Sequence, residues 1–217
     1  MKRILCFGDS NTWGMDPNSS DVDMPLRLPP EKRWTGILAK TLGDEFAVIE
    51  EGLIGRTTVL DDPIVQFRNG KDYLPPCLET HKPVDCLVIM LGTNDLKSRF
   101  HFSPTDIALG LRTLLEIAKK SRAGIAYGEP NILLISPPPI GKLKFEYQEV
   151  FTGAHDKCRI LPQALSVLSG KYGCQFLDSH EIISVKELVE DGIHLPSESH
   201  AKLARAISEK VLTLVRR

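Results

Sequence analysis

A serine, a histidine and an aspartate sit in this chain in settings that suit acyl transfer. Gly8-Asp9-Ser10-Asn11 directly follows the apolar run Ile4-Leu5-Cys6-Phe7. A serine at the tip of a strand-to-loop turn is exposed enough to attack a substrate once a base takes its proton. Near the other end of the chain, Asp191-Gly192-Ile193-His194 places a histidine three residues after an aspartate. A short loop can hold that imidazole with the carboxylate beside it. Ser10, His194 and Asp191 then supply nucleophile, base and orienter. The other histidines, His81, His101, His155, His180 and His200, lack the Asp-x-x-His setting and read as surface or packing residues. Asp178 is the rival carboxylate. It reads as a loop residue held by turn hydrogen bonds.

Two further glycine-marked turns lie between these stations, Gly52-Leu53-Ile54-Gly55-Arg56 and Gly92-Thr93-Asn94-Asp95, each after an apolar strand-like run. Asp-x-x-His and Gly-Asp-Ser are each common alone. Four stations in this order resemble the GDSL, or SGNH, family of serine esterases and lipases, through Ser10, Gly55, Asn94 and His194. Arg3-Ile-Leu-Cys-Phe-Gly-Asp-Ser10, Arg33-Trp-Thr-Gly36 and Met90-Leu-Gly-Thr-Asn-Asp95 are similar to its arylesterase and acyltransferase branch. The resemblance implies an oxyanion hole made by the backbone N–H groups of Ser10 and Gly55 and the side-chain amide of Asn94. Physically, glycine lets backbone approach closely, and a neutral amide donates without titrating. Asn11 stands where the family usually has Leu, which bears on acyl-group preference. Asn11 is therefore a candidate substrate contact, and so is Trp13, three residues from Ser10. Asp9 and Asp95 read as braces for their turns, and Arg56 as a solvated structural salt bridge.

These groups need a scaffold that brings four turns to one place. The chain alternates strand-like runs (Arg3–Phe7, Ala47–Glu51, Cys86–Leu91, Ile132–Ser136, Gln175–Leu177) with helix-like ones (Trp34–Leu42, Tyr73–Thr80, Thr105–Lys119, Lys157–Leu168, Glu198–Val215). In the last helix Ser197 is the expected cap, and Leu203, Ile207, Val211 and Leu214 form the apolar face. Such alternation predicts an α/β fold, a parallel sheet covered by helices on both faces. Five strands in the order 2-1-3-4-5 would make a flavodoxin-like three-layer α/β/α sandwich, with ligands beyond the carboxyl ends of the first and third strands. Ser10 and Asn94 follow those two strands. The Gly-x-Ser-x-Gly elbow of the α/β-hydrolases is absent. Long loops at Met15–Arg33, Thr57–Asp72 and Pro137–Phe151 are expected to shape the substrate site. The aromatic residues around Phe145 are candidates to wall the site or to meet a second subunit of a homo-oligomer.

Composition fits one domain over 1–217. Charged residues make up 25% and hydrophobic residues 42% of the 217, and the net charge is −1, so nothing argues electrostatically for nucleic acid or an anionic membrane. No run reaches transmembrane length, and the N-terminus lacks a signal-peptide pattern. The five cysteines have no metal-ligand spacing and read as reduced thiols of a cytoplasmic protein. No phosphate loop, metal motif or dinucleotide glycine series occurs, so no cofactor is expected. The function expected is carboxylic ester hydrolysis on small acyl or aryl esters through an acyl-enzyme on Ser10, with transfer to alcohols open. Deacetylation of a carbohydrate or natural product, and thioester hydrolysis, are alternatives. A flavodoxin-like ligand-binding domain is the non-enzyme alternative, and it leaves Asn94 and Asp191-Gly-Ile-His194 unexplained.

Overall fold

Each short apolar run becomes a strand and each amphipathic stretch a helix. The computed structural model describes residues 1–19 and 24–215, so residues 20–23 of the loop expected over Met15–Arg33 lie outside the described residues. The strands are β1 (Lys2–Gly8), β2 (Phe46–Gly52), β3 (Cys86–Met90), β4 (Asn131–Ile135) and β5 (Gln175–Leu177). All neighbours pair in parallel, in the order β2-β1-β3-β4-β5. The helices are α1 (Ser10–Trp13), α2 (Trp34–Leu42), α3 (Gly70–His81), α4 (Pro104–Lys120), α5 (Phe145–Gln148), α6 (Ala154–Tyr172) and α7 (Ser197–Val215).

Side chains alternate across the pleat, so each inner strand feeds two cores. Leu5, Phe7, Leu87, Ile89 and Leu134 join a cluster with residues of α3, α4 and α6. Ile4, Cys6, Val88, Met90 and Leu133 join a second cluster with residues of α2 and α7. β3 is buried throughout, whereas every residue of the edge strand β2 keeps partial exposure. Gly8 pairs with both Gly52 and Met90. The carboxyl ends of β2, β1 and β3 are thereby level, and three of the four glycine-marked turns leave the sheet side by side.

Helix boundaries differ from those expected where capping outweighs periodicity. α3 starts at Gly70 because the Asn69 side chain accepts the Lys71 N–H at 3.1 Å, although Pro75 and Pro76 follow. α6 is bounded by Gly153 and Gly173, both at positive φ. Ser197 is the first residue of α7, not its cap. α1, one turn long, and the short α5 inside the 137–151 loop have no periodic signal at all.

His200 of α7 is wholly buried and accepts the Trp34 N–H on Nδ1 at 3.2 Å, joining α7 to α2. Burial drives its pKa down to about 3, with help from the charges of His194 and Arg33. A histidine that titrates near 6.5 when unfolded but near 3 when folded destabilises the fold increasingly as pH falls between those values. His200→Gln keeps an acceptor for Trp34 and removes the titration. Its melting temperature relative to the parent protein should therefore rise as pH is lowered from about 6.5 towards 3, as thermal melts at stepped pH would show. A difference independent of pH would contradict the assignment.

Candidate active site

The turn after β1 becomes α1 because Asp9 caps it. The Asp9 carboxylate accepts the Asn11 N–H at 3.0 Å, and the Asp9 carbonyl accepts the N–H groups of Thr12 and Trp13. Burial raises the Asp9 carboxyl, against its hydrogen bond from Asn11 and the charge of His194. Ser10 is the first residue of this helix and is 4% exposed.

The segment carrying His194 folds on the Asp191 side chain. One carboxylate oxygen accepts the N–H groups of Ile193 and His194, each at 2.8 Å. The other faces His194 Nδ1 at 2.6 Å. Gly192 has φ 85, and a Cβ there would lie 2.6 Å from the Lys142 carbonyl, so only glycine allows this turn. Ile193 packs into one core and Leu195 into the other, which fixes His194 between them. Its Nε2 lies 2.9 Å from Ser10 Oγ. Burial alone would raise the Asp191 carboxyl, but the bonds from His194 and Ile193 outweigh it and hold the pKa below the usual range. An ionised carboxylate only accepts, so Nδ1 carries the proton and neutral Nε2 is left to accept from the serine hydroxyl.

The other two stations are tied to these by backbone bonds. Leu53 N–H and Arg56 Nη1 both donate to the Gly8 carbonyl, at 3.1 and 3.0 Å. Asn94 Nδ2 donates to the Arg56 carbonyl at 3.1 Å, leaving its second N–H available. Gly55 lies between, at φ 80. The nearest atoms to a Cβ there belong to the flexible Arg68 side chain, at 3.4 Å. The left-handed backbone, not the expected close approach, is what calls for glycine. Among the described residues the backbone N–H groups of Ser10 and Gly55 have no acceptor. Asp95 is fully buried and accepts the Thr58 N–H at 3.0 Å. Burial pushes its pKa up to about 6. Asp178 receives Ser136 Oγ–H and the His180 N–H, at 3.1 and 2.9 Å, and belongs to the β4–β5 end of the sheet.

Two readings change. Arg56 is no solvated salt bridge. It is 2% exposed, its guanidinium stacked 4.2 Å from the Phe7 ring centre and 5.0 Å from that of Tyr73. Asn11, expected to touch substrate, is 1% exposed and uses both amide atoms on the backbone around His194. The Trp13 ring carries the Arg27 guanidinium 5.1 Å from its centre, and the Trp13 backbone passes close to Gly52 at the end of β2. The aromatic cluster divides: Phe145 is exposed, Phe151 is buried, and the Tyr147 ring stands edge-on to that of His194 at 6.4 Å. Periodicity carries no signal for that last contact, because the 137–151 loop is placed by Gly141 N–H and Lys144 N–H donating to the Gly192 and Asp191 carbonyls.

Among the described residues, Glu51, Cys77 and His81 bring possible metal-ligand atoms within 4.8 Å of one another. Glu51 already meets His81 Nε2 at 2.8 Å and Tyr73 Oη at 3.1 Å. The Arg56 guanidinium alongside, bonded to the Glu51 carbonyl, opposes a cation there.

The sequence model of the GDSL-like lipase/acylhydrolase family matches residues 6–202. The chain belongs to that family. Solved structures of esterases agree with it over 99% of its length. The aryl esterase of M. smegmatis is 42% identical, with a TM-score of 0.93 over 99% of this chain and 100% of that one. A carbohydrate acetylesterase from Sinorhizobium meliloti is 40% identical, with a TM-score of 0.93 over 99% and 100%. A putative arylesterase from Agrobacterium tumefaciens is 32% identical, with a TM-score of 0.87 over 99% and 100%. No curated protein matches the chain. This GDSL hydrolase is a carboxylic ester hydrolase built on an α/β sheet, and none of its described helices is long and apolar enough to cross a membrane.

Proposed function

We propose that the enzyme hydrolyses small acyl and aryl esters through an acyl-enzyme on Ser10. The carrying observation is the hydrogen-bonded chain from Asp191 through His194 to Ser10, at 2.6 and 2.9 Å. Ser10 Oγ attacks the ester carbonyl as its proton passes to His194 Nε2, and Asp191 stabilises the imidazolium. The carbonyl oxygen, now an oxyanion, receives the N–H groups of Ser10 and Gly55 and the second N–H of Asn94. Collapse expels the alcohol, which takes the proton from His194. Water then repeats the sequence on the acyl-enzyme, and an alcohol in its place completes acyl transfer. Trp13, three residues from Ser10 and still partly exposed, lines one side of the entrance.

Rapid labelling of the parent protein by a fluorophosphonate, at Ser10 by peptide mapping, tests the nucleophile. Slow labelling would remove the reading. Among substrates, similarity to carbohydrate acetylesterases keeps acetylated sugars as the second class. Rates on aryl esters of increasing acyl length and on acetylated sugars would separate the two. The reading includes a cytoplasmic location, which the five free cysteines suit, and a homo-oligomer meeting through the exposed Phe145, for which light scattering is the check.

Asn94→Ala should lower kcat by about 10²–10³-fold with little change in KM, because this bond strengthens only as charge develops on the carbonyl oxygen. Fluorophosphonate labelling should slow with it. Near-normal turnover with a large loss of melting temperature would make Asn94 a brace for the Arg56 turn and nothing more.

A further inference from the structure

Asn11 differs from the other groups around Ser10 in having no route to substrate. Its side chain is buried beneath the nucleophile turn. Its Nδ2 donates to the Ile193 carbonyl at 3.2 Å, and its Oδ1 accepts the Leu195 N–H at 3.0 Å. These two backbone groups flank His194 on either side. Among the described residues Asn11 is the partner found for both.

The geometry of the base has two parts. The Asp191 side chain fixes the shape of its own segment, residues 191–194, from within. That shape still has to be registered against β1, more than 180 residues away in sequence. The loop bonds from Gly141 and Lys144 hold the far side of the segment, at Gly192 and Asp191. On the near side the tie is Asn11, covalently next to Ser10. We infer that Asn11 is a positioning residue that sets the distance and direction of His194 Nε2 from Ser10 Oγ, by clamping the backbone on both sides of the histidine. The inference rests on the serine mechanism proposed above.

The amide chemistry matters more than the volume. Leu has the same branch at Cγ but presents methyl groups where Asn11 presents a donor and an acceptor, leaving a buried carbonyl and a buried N–H without partners. The bonds at Gly192 and Asp191 remain, so the segment stays docked but its register loosens. A misplacement of about 1 Å costs about 10²-fold in a reaction that depends on alignment. Asp at position 11 keeps the size and the acceptor for Leu195 but, ionised, cannot donate to the Ile193 carbonyl.

The test compares Asn11→Leu and Asn11→Asp with the parent enzyme in ester turnover and in the second-order rate of fluorophosphonate labelling. Rates are taken per folded molecule, well below each melting temperature. Asn11→Leu should lower kcat and the labelling rate together by about 10- to 100-fold with KM little changed. Asn11→Asp should fall between it and the parent. Adding Asn11→Leu to His194→Ala should slow the residual reaction no further, since the clamp acts through a base that is gone. Parent-like rates per folded molecule in both single variants would overturn the inference, whatever the melting temperatures. So would an equal further loss on the His194→Ala background. If Asn11→Leu does not fold, Asn11→Asp decides alone by the same criterion. A parent enzyme that labels slowly would instead refute the serine mechanism, so the two failures are distinct.

Discussion

Ser10→Ala should lower ester turnover by about 10⁴-fold or more while leaving the melting temperature close to that of the parent protein. Among the described residues the hydroxyl's one hydrogen bond runs to His194 Nε2, and the turn around it is held by Asp9, whose carboxylate and carbonyl bonds do not involve the serine side chain. Removing one oxygen therefore removes the proposed nucleophile without removing a support. His194→Ala should cost about as much. The double variant should be hardly slower than either single one, because residues on one proton-transfer path lose their effect as a unit. Steady-state kinetics on the three purified variants, with circular dichroism to show the fold, is the measurement. Losses that multiplied would mean that Ser10 and His194 act independently, and the mechanism would fall.

Asp191→Asn is expected to cost about 10⁴-fold by a different route. The amide oxygen can still accept the N–H groups of Ile193 and His194, so the loop keeps its shape. Its NH₂ then faces His194 Nδ1 and donates to it, which moves the ring proton to Nε2 and turns the base into a second donor towards Ser10. Turnover should fall while the melting temperature at neutral pH falls only modestly. The parent carboxyl, held below its ordinary pKa by His194, adds stability above about pH 4 that is lost as pH drops through its folded value. Asp191→Asn should lack that acid-side loss in a melting series. A variant as active as the parent would show that His194 needs no orienter.

The sheet was legible because each inner strand is a short apolar run ending in glycine or a polar turn, and its order places the first and third strands together. That the side chains of Ser10, Asp191 and His194 meet was legible for the same reason: local sequence fixes each turn, and topology brings the turns to one edge. What escaped depends on contacts between distant residues. Arg56 looks like a surface charge in sequence, yet the rings of Phe7 and Tyr73, from two other elements, enclose it. Asn11 has no local pattern that points to residues 193 and 195. The edge-on contact of Tyr147 with His194 depends on backbone bonds at Gly192 and Asp191, and the cap at Asn69 moved α3 by three residues against its weak helical composition.

Ser10 and His194 are 184 residues apart, and this separation has a consequence in time. The strand that leads into Ser10 is synthesised before the other four, and the segment with His194 after all five. Sheet pairing and both cores can begin while that segment is still inside the ribosome, but in the proposed mechanism no proton acceptor is present until it emerges and docks. Esterase activity on a stalled or shortened chain therefore reports closure of the loop that carries His194, not formation of the sheet. The catalytic machinery stays silent throughout the stage when nascent chains are most exposed to one another.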